Sequence, residues 1–172
     1  MKPKITPTAN EIFLKDNEFI VSKTDLKGRI TYANRTFMRI ASYAEEQLLG
    51  IQHNIVRHPD IPRGVFKFLW DALKSNQEFF GYVKNMTANG DFYWVFANIT
   101  PDTTPEGKIV GYYSVRTKPK QSAIDIISPI YKEMLALEQQ VGPARACDAS
   151  IGLLVDKLNS LNTTYEKFVL SL

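Results

Sequence analysis

The apolar residues of this chain change their spacing several times, and each change marks a new element. Residues 1–10 carry two prolines and no periodicity, which reads as a flexible or extended arm. Glu11 to Lys15 has room for one helical turn, and residues 1–17 are assigned to an N-terminal arm. Phe19 to Thr24 and Arg29 to Ala33 are β-rich and flank the turn Asp25-Leu26-Lys27-Gly28, so they are expected to pair as a hairpin. Asn34 then stands as the N-cap of a helix that turns Phe37, Ile40 and Ala41 inward. A second short helix covers Glu45 to Leu49 and is stopped by Gly50. Val65, Phe66, Leu69, Trp70 and Leu73 next repeat at helical spacing. Asp60 is placed to cap that helix, Pro62 fits its first turn, and Ser75-Asn76 ends it.

From Glu78 the period becomes that of strands. Glu78 to Met86, Phe92 to Thr100 and Lys108 to Arg116 are separated by turns at Ala88-Asn89-Gly90 and Thr104-Pro105-Glu106-Gly107, the first with Asn-Gly supplying positive φ. Two strands, a run of helices and three strands predict an α+β domain over residues 18–120, a five-stranded antiparallel sheet with helices on one face. Helical spacing returns at Ile124, Ile127, Tyr131 and Met134, predicting a helix from Ser122 to Gln140 that Gly142-Pro143 breaks. Ile151, Leu154, Leu158, Leu161, Tyr165, Phe168 and Leu172 then alternate by three and four, the spacing of a coiled-coil or hairpin seam. Residues 121–172 are therefore expected to form a helical hairpin offering a stripe for homodimer or partner contact. Packing of the stripe on the chain's own domain is the other reading.

Composition narrows the class. The 172 residues carry 21 basic and 18 acidic side chains, a net charge of +3, and the basic residues are scattered, which gives no footprint for nucleic acid. Cys147, the single cysteine, excludes an internal disulfide framework and fits a reducing cytoplasm. No apolar run approaches the roughly 18 residues of a membrane span, so membrane association is expected only through a partner.

The candidate chemistry lies in Gly50 to Trp70, GIQHNIVRHPDIPRGVFKFLW. Here both histidines, His53 and His58, stand with Arg57 and Asp60 in a polar loop that runs into the amphipathic Trp70 helix, the pattern of a pocket rim and wall. There is no HxxxH or CxxC spacing for a metal, and no nucleophile in a suitable setting, so an enzyme is not expected.

The order of elements, the turn TDLKGRITYAN, the segment ASYAEEQLLG, and NGDFYWVFANITP followed by GYYSVRT resemble a PAS sensor domain over Phe19 to Thr117. HNIVRHPDIPRGVFKFLW resembles the aerotaxis-receptor subgroup. That resemblance implies an FAD-binding redox sensor that reports electron-transport or oxygen status to the chemotaxis machinery. It implies cofactor roles for Arg57, His58 and Asp60, for Trp70 packed on the ring, and for the Asn85 amide on its pyrimidine edge. His53 is expected at the pocket mouth, with Asn34 as a further candidate that capping alone would explain. His53 stands where light-sensing relatives carry the adduct-forming cysteine, which excludes thiol-adduct photochemistry, and Val95 replaces a second flavin-binding Asn. Phe79 replaces a Trp, and Ala44 a Ser or Thr cap. Lacking an anchor and a long signalling coiled coil, the chain resembles the stand-alone PAS half of a bipartite energy-taxis receptor. Its implied partner is a membrane-bound methyl-accepting chemoreceptor-type protein; a fragment of a longer receptor is the alternative. A haem-binding PAS sensor, with His53 or His58 as axial ligand, and a cofactor-free interaction module are the rival readings.

Overall fold

The computed structural model describes residues 5–172, so the first four residues of the expected arm lie outside it. Five strands, β1 (Ile20–Thr24), β2 (Ile30–Ala33), β3 (Phe79–Met86), β4 (Phe92–Thr103) and β5 (Ile109–Thr117), form one antiparallel sheet in the order β2-β1-β5-β4-β3. The inner face is set by register. Ile20 pairs with Arg116 and Arg116 with Ala97, Ser22 pairs with Ser114, and Asn85 pairs with Tyr93, so these side chains alternate inward with period two. Against this face lie α1 (Arg35–Ala41), α2 (Glu45–Leu48) and α3 (Arg63–Lys74). Phe37, Ile40, Leu48, Val65, Leu69 and Leu73 meet the sheet in a continuous core.

The local signals hold at several ends. Asn34 caps α1 by accepting from the Phe37 N–H at 3.0 Å, and its amide also donates to the Phe19 carbonyl, stapling β1 to α1. Where Ala44 offers α2 no side-chain oxygen, Gln47 Oε1 accepts from the Ala44 N–H at 2.9 Å. At the β3–β4 turn only Gly90 has positive φ; Asn89 does not, so the expected pair of positive angles is corrected to one. Glu11 to Lys15 makes no helical turn. The arm runs extended instead, with Ile12 N–H donating to the Phe92 carbonyl at 2.7 Å and Leu14 buried.

The C-terminal helices depart further from expectation. α4 (Gln121–Val141) carries Tyr131 onto the outer sheet face, where it stacks on Trp94 and donates to the Tyr82 carbonyl at 2.8 Å. The seam expected as one continuous helix is two, α5 (Ala146–Ser160) and α6 (Tyr165–Ser171), split where Asn162 takes a φ of 51°. Leu154, Leu158, Tyr165 and Phe168 are buried within the chain, and Leu161 is exposed. α5 packs on α4 and α3. α6 sits at the β3 edge, with Tyr165 against Phe68 and Phe79. Helices therefore lie on both sheet faces, and the stripe is used mainly to wrap the β3 edge of the chain's own domain, which blunts an edge otherwise open to pairing.

Candidate functional site

A cavity of about 210 Å³ lies between the inner sheet face and α3. Its walls are Phe66, Leu69, Trp70 and Leu73 from α3, with Val83, Ala97 and Ile99 from the sheet. Its floor is polar and buried: Ser22, Asn85, Ser114 and Arg116 are each no more than 8 % exposed. Gln52, Asn54 and Arg57 stand at the side closed by the polar loop, and no carboxylate lines the space.

The loop is held to the sheet by backbone bonds. His53 N–H donates to the Gly28 carbonyl at 2.9 Å, and Ile30 N–H to the Ile51 carbonyl at 2.9 Å. These place the His53 ring over the floor, stacked on Phe37 with ring centroids 5.7 Å apart. Arg116 Nη1 lies 3.2 Å from His53 Nε2, and Arg116 also donates to Ser22 Oγ, which is itself 3.3 Å from Nε2. A guanidinium has only donors, so Nε2 is the acceptor and the imidazole is neutral with its proton on Nδ1. Burial, reinforced by the Arg116 charge, lowers the His53 pKa to about 3. Burial also pushes Arg116 down to about 10, which leaves it charged at neutral pH. Its guanidinium lies over Phe37 at 4.6 Å and its buried Nε has no hydrogen-bond partner. A buried cation with no acidic neighbour and an unused donor favours an acceptor or anion arriving from outside.

Four of the seven residues expected from the sequence meet at this cavity: His53, Arg57, Trp70 and Asn85. Arg57 bridges Asn85 through the backbone, lies over the Phe66 ring at 3.9 Å and donates to the Ile61 carbonyl. Trp70 meets Tyr112 edge-on at 5.3 Å, and its indole lies beside Gly28, where an added Cβ would approach it to 3.3 Å. The other three lie apart. Asn34 caps α1 and is not in the cavity lining. His58 is buried against Phe92, with Nδ1 accepting from the Asp60 N–H at 3.1 Å. Asp60 does not cap α3; it pairs with Lys84 Nζ at 2.7 Å and so fastens the loop to β3. The cap is supplied by the buried Glu138 of α4, whose carboxylate accepts from Arg63 N–H at 3.0 Å, Gly64 N–H at 2.9 Å and Ser150 Oγ at 2.7 Å.

Sequence reasoning missed Arg116, Ser22, Ser114 and Tyr112. A signal existed in GYYSVRT: Tyr112, Ser114 and Arg116 share one phase of an alternating strand, and a charge in the inward phase marks a site.

An inner-face cavity between a five-stranded antiparallel sheet and flanking short helices is the PAS arrangement. The family model described as the PAS fold matches residues 30–116, just over half of the chain, and the chain belongs to that family. Within it, the chain is similar to the aerotaxis receptor of Escherichia coli (strain K12), 44% identical over 123 residues that make up 72% of this chain and 24% of the receptor. The nitrogen fixation regulatory protein of Klebsiella pneumoniae is 31% identical over 96 residues, 56% of this chain and 19% of the regulator. The chain thus spans a quarter or less of these relatives. Among solved structures, a light-oxygen-voltage domain studied with a flavin analogue superposes with a TM-score of 0.57 at 20% identity, over 63% of this chain and 82% of that one. The dark structure of the blue-light photoreceptor Aureochrome1 LOV gives 0.53 at 24% identity, over 72% and 84%. These two likenesses are of fold. Among the described residues, no helix is long and apolar enough to cross a membrane.

Proposed function

We propose that the chain is a flavin-binding PAS redox sensor for energy taxis, holding FAD and reporting electron-transport or oxygen status to a membrane-bound methyl-accepting chemoreceptor-type partner. The observation that carries this reading is the make-up of the cavity: apolar and aromatic walls from α3 facing a polar floor of Asn85, Arg116, Ser22 and Ser114. An amide donates and accepts at once, which suits the alternating carbonyls and N–H of a flavin's pyrimidine edge, and the unused Arg116 donor suits a ring carbonyl. The volume, about 210 Å³, falls below the roughly 300–1,000 Å³ usual for whole small-molecule sites, so it suits the ring system and leaves the rest of FAD outside. Arg57 at the loop side is the cation for the pyrophosphate. His58 and Asp60 act behind it, fixing the loop that carries Arg57. When bound, the flavin supplies reversible electron transfer; the chain's residues bind it, orient it and exclude water from it. The similarity to a receptor and a regulator supports sensing, not turnover.

The haem alternative draws no support from the histidines: His53 Nε2 is engaged by Arg116 and Ser22, and His58 lies outside the cavity. A homodimer, on this reading, uses the outward face of the C-terminal helices, because the inward one is covered.

The test is the absorption spectrum of the purified protein, followed by release of the chromophore. Twin flavin bands that bleach on reduction, with FAD released, are expected. Trp70→Ala, Asn85→Ala and Arg57→Ala should each lower flavin occupancy; full retention by all three overturns the site. A colourless protein that stays so after refolding with FAD overturns the cofactor.

A further inference from the structure

The cavity floor contains a feature that ligand binding alone does not use. His53 and Arg116 are two bases in contact, one neutral and one charged, with no carboxylate among the lining residues to balance them. Resting on the flavin reading above, we propose that Arg116 and His53 form a charge-compensation pair: when the bound ring is reduced, Arg116 turns towards the added negative charge and His53, released, binds one proton at Nε2.

Each part follows from the geometry. Arg116 cannot lose its proton under working conditions, so it can only redirect its donors. Its Nε already lacks a partner, and its other contacts are neutral: Ser22 Oγ from β1, the Phe37 face from α1, and His53 Nε2 from the loop. The remaining ionisable groups around His53 are few. Arg57 lies on its own loop and Tyr112 on β5, while α3 and β3 contribute Phe66, Leu69, Trp70, Val83 and Asn85, none of which titrates. Tyr93 of β4 bears on Arg116, and burial raises its hydroxyl pKa, so it stays neutral. His53 is therefore the group with a vacant acceptor nitrogen once Arg116 turns away. Burial and the Arg116 charge hold it neutral beforehand, and a negative charge entering the cavity acts in the opposite sense.

The step balances. The electrons come from an external reductant, dithionite in the test. The proton comes from solvent. The bond formed is Nε2–H, and the bond lost is the Arg116 Nη1–H···Nε2 hydrogen bond. One negative and one positive charge enter together, so the buried site avoids carrying a net change. The movement of one guanidinium and one imidazole, which bridge β1, β5 and the loop, is then the first structural consequence of reduction.

The chain has two histidines, which makes the measurement direct. Nitrogen-15 NMR of histidine-labelled, flavin-loaded protein at pH 7 is recorded before and after dithionite, with His53→Asn identifying the His53 signals and His58 serving as the internal reference. The expected result is a neutral His53 with bare Nε2 in the oxidised protein and an imidazolium after reduction, with His58 unmoved. In flavin-loaded Arg116→Gln, oxidised His53 should titrate at a higher pH than in the unsubstituted protein. A His53 that stays neutral while the flavin bands bleach overturns the proposal and leaves the cofactor reading standing. An unchanged titration in Arg116→Gln also overturns it. A protein that takes up no flavin, seen in its absorption spectrum before any NMR, overturns the cofactor reading and this proposal with it.

Discussion

A single imidazole sets the acid behaviour of the cavity. His53 is neutral when folded, with a pKa lowered to about 3, and takes up a proton near its ordinary value of 6.5 when unfolded. Between those values the unfolded chain binds more protons, so the His53 contribution to stability is complete above pH 6.5 and is lost as pH falls towards 3. In the protein without ligand, urea unfolding from pH 7.5 to 4 should show stability falling more steeply than in His53→Asn, the two curves running parallel above about pH 7; equal slopes throughout refute the assignment. At this scale the sequence was legible where a residue's role is local. Asn34 read as a cap and is one, and Trp70 and Asn85 read as cavity residues from their positions on a helix face and a strand. His58 and Asp60 were drawn into the site because sequence spacing does not say to which side of the backbone a loop side chain turns. Arg116 was passed over because a charge near a strand end resembles surface until the pairing of Arg116 with Ile20 and Ala97 puts it inside.

At the scale of elements, α3 begins without a cap of its own and takes one from Glu138, 75 positions from Arg63 along the chain. No local signal announces such a cap, since it exists only once α4 has docked. Glu138→Ala leaves two backbone N–H groups and the Ser150 hydroxyl without their acceptor and should cost about 2–3 kcal/mol in chemical denaturation. Glu138→Gln, which keeps an acceptor oxygen, should cost less. Gly64 is the companion: a Cβ there would run into Ser150 Oγ, so α3 and α5 approach closely because residue 64 has no side chain. Gly64→Ala should loosen α5, and adding Ser150→Ala should restore part of the loss, a coupling that a double-mutant cycle measures. The division of the seam into α5 and α6 was legible in principle. Asn162 tolerates the left-handed turn and Thr164 caps the next helix by accepting from Lys167 N–H, a stop-and-start signal that the three-four alternation ran straight across.

The whole molecule joins a PAS domain to a helical wrap. Periodicity revealed both parts but not their embrace, because an apolar stripe states that it will be covered without stating by what. Leu154 and Leu158 are buried between α5 and its neighbours, so Leu154→Ala or Leu158→Ala should lower the unfolding free energy by about 2–5 kcal/mol, as for other core truncations. If these leucines instead formed an intermolecular seam, sedimentation would show dissociation at unchanged monomer stability. The wrap also divides the two indoles between opposite faces of the sheet. Trp70 stands beside the cavity against Tyr112, while Trp94 lies under Tyr131 of α4. The protein therefore carries two native fluorophores with separate views. With Trp94→Phe, the remaining emission watches the cavity fill; with Trp70→Phe, it watches α4 lift from the sheet. A stopped-flow comparison of the two would tell which event comes first, with no dye attached.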